Sequence, residues 1–387
     1  MGGKHSQSIP GARAMMASID FAVTPFLVIW ETTQACDLAC IHCRASAQPS
    51  RHPDELTTAQ GFGLLAEAAA MGTPVFILSG GDPLKRPDLL DLVREGKRLG
   101  LRMGTIPAAT PALTATVVRQ LKQAGLDQMA LSLDYPRAEL HDGFRGVPGA
   151  FDKTLAAVEW AHQCGLPLQI NTTLSAGSAP FVSEMAELVE HLGAVFWEVF
   201  FLVPVGRGEL LDGLGARQCE ELFAILYAVQ KRARFVVKVT EAPHYRRYVA
   251  QREGERTGTQ SPGGLGTVAM PDMLRRSEGP GHTVGLAPHS VNAGKGFVFV
   301  SHVGEVYPSG FLPLSAGNVC SQSLAEIYRD SPLFRTLRDP DALRGRCGQC
   351  EYRTICGGSR SRAYALTGDF RATDPWCNYQ PAQPIAQ

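Results

Sequence analysis

Residues 36–43 read Cys36-Asp37-Leu38-Ala39-Cys40-Ile41-His42-Cys43, directly behind the apolar run Phe26-Leu-Val-Ile-Trp30. Three thiols at spacing C-x3-C-x2-C make an unfinished metal site. Structural zinc and ordinary electron-transfer clusters take four protein ligands, so a compact loop of three leaves one metal open to an exchangeable ligand. A zinc knuckle would bring its usual C-x2-C pair and a nearby fourth ligand, a pattern this stretch does not match. Ten cysteines with no secretory leader indicate a reducing, cytoplasmic setting, where clustered thiols bind metal more often than they pair.

Working outward, 387 residues at 44 % apolar composition suit either two domains or one large barrel with an appendage. Lys plus Arg equals Asp plus Glu at 37 each, so no overall field draws in nucleic acid or an anionic membrane. No apolar run approaches the roughly 20 residues that span a bilayer. From Phe26 onward, short β-branched or apolar runs alternate with longer amphipathic stretches. Strands are predicted at 26–30, 75–78, 102–106, 129–133, 168–173 and 195–202. Helices are predicted at 57–71, 87–99, 112–124, 149–164, 180–192 and 216–231, with glycines such as Gly72 and Gly193 just past their ends. Six such βα units predict an α/β fold, a partial (β/α)6 TIM-like barrel, whose ligands gather at the C-terminal ends of the strands. The three-thiol loop stands at one of those ends.

The rest of the chain divides around this barrel. Residues 1–24 read as a loose N-terminal segment, 25–240 as the barrel, 241–285 as a Gly-, Pro- and charge-rich linker or mobile loop, and 286–387 as a small cysteine-rich α+β domain. That last unit opens with a hairpin, 296–301 returning at 305–307, and ends with Cys347, Cys350, Cys356 and Cys377. Their C-x2-C-x5-C spacing suits a zinc ribbon and an iron–sulfur cluster about equally.

The three-thiol loop closely resembles that of the radical S-adenosylmethionine (SAM) superfamily. Ser79-Gly80-Gly81-Asp82-Pro83 resembles the family's Gly-Gly-Glu-Pro segment, with Asp82 in place of the commoner Glu. The resemblance implies that Cys36, Cys40 and Cys43 hold a 4Fe-4S cluster whose fourth iron is chelated by SAM, giving a 5′-deoxyadenosyl radical that abstracts hydrogen from substrate. It places Gly80, Gly81 and Asp82 at the SAM ammonium, and Ser132 and Asn171, ahead of Asp134, at its ribose and carboxylate. His141 to Gly146 and Val203 to Arg207 also resemble family segments, with Arg145 and Arg207 either clamping substrate carboxylates or pairing with local acids.

The C-terminal unit resembles the SPASM or twitch extension in Gly304-Glu-Val-Tyr-Pro308, Gly317-Asn-Val319 with Ser323-Leu324, and Cys356-Gly-Gly-Ser-Arg360. Carried over by position, Cys347, Cys350, Cys356 and Cys377 match the ligands of an outer auxiliary 4Fe-4S cluster. The inner cluster lacks its ligands, because Ser309 and Arg360 stand where the family has cysteine. One auxiliary cluster is therefore expected, with Cys320 free or an improvised ligand and Cys164 and Cys219 as apolar filler. The nearest motifs belong to enzymes that trim side chains of heme precursors, which implies side-chain removal or decarboxylation on a tetrapyrrole. Enzymes that modify ribosomal peptides share the architecture. The 25 or so residues before the first strand are too few for an N-terminal peptide-binding domain, which mildly favours the tetrapyrrole. A flavodoxin- or ferredoxin-like electron donor is implied. A non-catalytic iron–sulfur or zinc protein would explain the cysteines, but not Gly80, Gly81 and Asp82 beside them.

Overall fold

All six predicted strands form in the computed structural model, which describes residues 19–257 and 290–382. They are β1 (Leu27–Glu31), β2 (Val75–Ser79), β3 (Arg102–Thr105), β4 (Gln128–Ser132), β5 (Leu168–Leu174) and β6 (Phe196–Phe201). The predicted helices form between them: α1 (Thr58–Ala70), α2 (Leu89–Arg98), α3 (Ala115–Gln123), α5 (Ala150–Gln163), α6 (Val182–His191) and α7 (Ala216–Arg232). Local chemistry sets their starts. Thr57 and Gln60 form a reciprocal capping box on α1, and the Thr114 hydroxyl caps α3.

Three elements are additional. A short helix, α4 (Ala138–Arg145), precedes α5, and a seventh strand, β7 (Val236–Thr240), follows α7. The stretch expected as linker over 241–285 begins instead with a helix, α8 (His244–Thr257). Tyr245 and Tyr248 are buried against Phe223 of α7, so aromatic burial overrides the helix's polar composition. Residues 258–289 of the expected linker lie outside the described residues.

Strands β1 to β7 pair in chain order, each parallel to the next. The C-terminal hairpin extends the same sheet. Its first strand, β8 (Phe297–Val300), runs parallel to β1, and β9 (Glu305–Tyr307) and β10 (Gly317–Asn318) follow antiparallel. The result is an open, ten-stranded, partial barrel with helices outside it, as parallel crossovers require. Trp30, Phe76, Trp197, Phe201 and Phe223 fill the layer between sheet and helices. The chain continues through α9 (Leu324–Asp330), α10 (Pro332–Arg338), α11 (Gly345–Gln349) and α12 (Arg360–Thr367). Among the described residues no helix is long and apolar enough to cross a membrane.

Candidate active site

The three-thiol loop leaves β1 at Glu31 and is fixed by backbone bonds from other loops. Gly81 donates to the Thr33 carbonyl at 2.8 Å, Asp82 to Ala35 at 2.7 Å, and Arg207 to Cys43 at 3.1 Å, while Ile41 donates to Phe144 at 3.0 Å. Glycines make this approach possible. A Cβ on Gly81 would stand 2.5 Å from the Ala35 carbonyl oxygen, and one on Gly206, where φ is +58°, would stand 2.7 Å from that of Cys43. Turns after three different strands therefore press their backbones onto the thiol loop.

Each thiol already receives a donor. Cys36 Sγ accepts from Leu38 N at 3.4 Å, Cys43 Sγ from Ala47 N at 3.4 Å, and Cys40 Sγ from Arg145 Nη1 at 3.7 Å. These are the contacts a thiolate requires. Burial pushes the free Cys36 thiol up to about 11 and raises Cys40, with Arg145 pulling the latter back. A metal entering here must displace protons. Behind Cys40, Arg145 pairs with the fully buried Asp134. Burial alone would raise Asp134, but the Arg145 guanidinium holds its carboxyl below the usual range. Burial brings His141 down to about 4 and His42 to about 3, so both imidazoles are neutral. His42 stacks on Phe144 with centroids 4.2 Å apart.

A cavity of about 240 Å³ opens over this loop and is lined by Cys36, Cys40, Cys43, Gly80, Gly81, Ser132 and Asn171. Asp82 does not line it. In place of the expected contact with a ligand, its buried carboxylate accepts from Thr110 Oγ1 at 2.9 Å, Leu84 N at 3.1 Å and Ala108 N at 3.3 Å. It thereby ties the turn after β2 to the loop after β3. Arg145 is committed to Asp134 and Cys40, and part of the Arg207 guanidinium is buried without a hydrogen-bond partner.

A second cavity of about 420 Å³ fills the barrel lumen. Its wall carries six phenylalanines, Phe26, Phe196, Phe200, Phe297, Phe299 and Phe311, and Arg44, Lys238 and Arg246 also line it. Arg44, Ser79, Ile106, Phe200 and Phe311 line both cavities, so the two adjoin. Arg44 is held by Glu31 at 2.5 Å and lies 4.5 Å from the Phe299 ring centroid, and Glu31 also meets His302 at 3.0 Å.

A polar ladder joins the cavities. Ser132, Asn171, Glu198 and Lys238 are register partners across β4 to β7. Gln169 Nε2 donates to Asn171 Oδ1 at 2.7 Å and to Glu198 Oε2 at 2.8 Å, and Glu198 also meets Lys238 at 2.8 Å and Thr240 Oγ1 at 2.6 Å. Glu198 was detectable in sequence as a single acid inside the apolar strand Phe-Trp-Glu-Val-Phe-Phe.

Cys347, Cys350, Cys356 and Cys377 line one small pocket, away from the first. Cys347 accepts from Arg360 Nη2 at 3.7 Å and Cys356 from Gly358 N at 3.4 Å. Among the described residues no group of three or more His, Cys, Asp or Glu is set to hold a single metal ion. Around the expected position of a second cluster stand hydroxyls. Ser309, Ser359 and Ser361 donate to the Glu241 carboxylate at 3.1, 2.5 and 3.0 Å. Cys320 is exposed near Gln60 and does not line the tail pocket, and Cys219 is buried in the core.

The family model for the radical SAM superfamily matches residues 30–192. The chain is 41 % identical to the AdoMet-dependent heme synthase of Methanosarcina barkeri over 93 % of its own length and 98 % of the relative's. The chain belongs to the radical SAM superfamily. It is also 39 % identical to the AdoMet-dependent heme synthase of Oleidesulfovibrio alaskensis, over 93 % of this chain and 89 % of that one. Among solved structures, SuiB of Streptococcus suis bound to S-adenosylmethionine superposes with a TM-score of 0.69 at 16 % identity, covering 92 % of this chain and 78 % of that one. The radical SAM fold, enzymatic activity, SAM and one 4Fe-4S cluster come with this membership.

Proposed function

We propose that this radical SAM enzyme decarboxylates carboxylate-bearing side chains of a tetrapyrrole held in the barrel lumen. The observation that carries the reading is the lumen cavity. Aromatic walls suit a macrocycle, and the cations among the lining residues suit its carboxylates. The identity to AdoMet-dependent heme synthases supports the same substrate class. Radical modification of a peptide, the other reading of the sequence, has weaker support, 29 % identity to the PqqA peptide cyclase of Rhizobium meliloti over 92 % of this chain.

When bound at Cys36, Cys40 and Cys43, the cluster and SAM supply the radical that takes hydrogen from substrate. The chain's own residues orient the partners. A carboxylate beside Lys238 only accepts hydrogen bonds, so Glu198 turns the Gln169 amide nitrogen toward itself and toward Asn171 Oδ1. Asn171 is then left presenting its amide N–H groups to the thiol cavity, as donors to an oxygen of SAM. Asn171→Asp reverses that polarity, and Glu198→Gln releases it. Both are expected to weaken SAM binding about tenfold, the scale of one misdirected hydrogen bond of about 1.4 kcal/mol. Equilibrium dialysis of the iron–sulfur-loaded protein reads this, and unchanged binding in both variants refutes the role.

The four tail thiols hold an auxiliary 4Fe-4S cluster in this reading. Soft thiolates suit iron–sulfur, and their spread around a pocket suits a polynuclear cluster better than a single ion. The Glu241 hydroxyl cage takes the place of a further one. A low-potential flavodoxin- or ferredoxin-like protein of the cytoplasm serves as the electron donor.

The direct test is anaerobic incubation of the reconstituted enzyme with SAM, dithionite and iron coproporphyrin III. Loss of carbon dioxide from propionate side chains, matched by 5′-deoxyadenosine, is expected in the mass spectrum. SAM cleavage that is indifferent to the porphyrin, with no change in porphyrin mass, overturns the assignment.

A further inference from the structure

Arg360 is 2 % exposed, and its guanidinium has no carboxylate partner among the described residues. Nη1 donates to the carbonyls of Phe370 at 2.7 Å and Ala372 at 2.8 Å, and Nε to that of Gly358 at 3.3 Å. The remaining nitrogen, Nη2, donates to Cys347 Sγ at 3.7 Å. Asp374, which accepts from the adjacent Ser359 N at 2.9 Å, is engaged elsewhere: it binds Arg362 at 2.7 Å, with both side chains fully buried. A buried charge left without a counter-charge is strongly destabilising, and carbonyl dipoles solvate it without neutralising it. The fold therefore keeps a full positive charge against one sulfur, and a thiolate there supplies the missing negative charge.

The neighbouring cations differ. Arg247 is paired with Glu220, Arg353 meets Asp341 at 3.1 Å, and Arg346 donates to the carbonyls of Cys377 and Tyr379. None of these side chains donates to a tail sulfur.

We infer that Arg360 is a positioning residue that sets the reduction potential of the auxiliary cluster through its hydrogen bond to Cys347. The inference rests on the reading that the tail thiols hold iron–sulfur. Reduction adds negative charge to such a cluster, and a cationic donor at its sulfur stabilises the reduced form more than the oxidised one, which raises the potential.

The experiment uses the full chain carrying Cys36, Cys40 and Cys43 as alanine, so that the tail cluster alone gives the signal. The protein is reconstituted with iron and sulfide and titrated redox-wise by EPR, with and without Arg360→Gln and Arg360→Lys. Arg360→Gln is expected to shift the reduction equilibrium about tenfold toward the oxidised form, a midpoint about 59 mV more negative for one electron. Arg360→Lys should fall between. A structural role alone would lower iron content without moving the midpoint of the cluster that remains. Full iron with an unchanged midpoint in Arg360→Gln overturns the inference.

If Arg360→Gln fails to hold iron, pulsed EPR of the reduced parent, labelled with ¹⁵N in its arginine side chains, decides. A ¹⁵N coupling sustains the proposal, and its absence overturns it. If the parent itself binds no iron–sulfur, the auxiliary-cluster reading fails, and this inference falls with it.

Discussion

Alanine at Cys36, Cys40 and Cys43 together is expected to abolish 5′-deoxyadenosine formation and to halve the bound iron, from about eight to about four. The first effect stems from the donor set. The side chains around the loop that remain include Arg145, Ser132 and Asn171, none of which replaces a soft thiolate, and His42, a single imidazole stacked on Phe144 that cannot replace three. The second stems from independence, because the two thiol pockets share no lining residue. Iron analysis and chromatography of the reduced protein with SAM read both. Residual 5′-deoxyadenosine in the triple variant removes the catalytic assignment of these thiols. Loss of all iron removes the tail as a separate cluster site.

Arg145→Met should be the most damaging single substitution near the first site, lowering stability by about 3–5 kcal/mol. The loss comes from Asp134. Its carboxylate is fully buried and keeps the Thr173 amide as a donor at 2.9 Å, but its cation would be gone. Cys40 also loses its only side-chain donor among the described residues. The pairing makes a specific demand on the double variant: Asp134→Asn with Arg145→Met should recover part of the loss, since no uncompensated charge remains. Thermal unfolding of the four proteins measures the coupling. Additive losses would mean that the ion pair is not what Arg145 contributes.

The barrel was legible in the sequence because its strands are short β-branched or aromatic runs and its helices carry clear caps, as at Thr57 and Thr114. The elements that escaped lack those signals. Helix α4 has no side-chain cap at Arg137, the short β-branched run of β7, Val236-Val-Lys-Val-Thr240, is interrupted by Lys238 and mostly half-buried, and α8 is mostly charged and polar in its last two turns. At the site, the thiols, Gly80, Gly81, Ser132 and Asn171 were readable by position, and the structure gathers them at one cavity. Asp82 was not. A carboxylate one residue beyond two glycines can face the ligand or the next loop, and only the buried Thr110 hydroxyl decides it. The Glu31–Arg44–His302 and Glu198–Gln169–Asn171 contacts were hidden for a different reason. Each depends on a bond between residues far apart in the chain, Glu31 to His302 across 271 positions and Gln169 to Glu198 across 29, and hydrogen bonds of that kind leave no spacing to read.

The pairing of β1 with β8 has a consequence for biogenesis. His302 reaches Glu31 across 271 residues of sequence, and the strand that leads into the thiol loop gains its second neighbour only from the C-terminal hairpin. Contacts of such separation form late, and a chain emerging from the ribosome N-terminus first cannot form them until most of it has been made. The loop that is translated among the first is thus among the last to be locked. Iron–sulfur delivery to Cys36, Cys40 and Cys43 is therefore expected only once the C-terminal hairpin has been made.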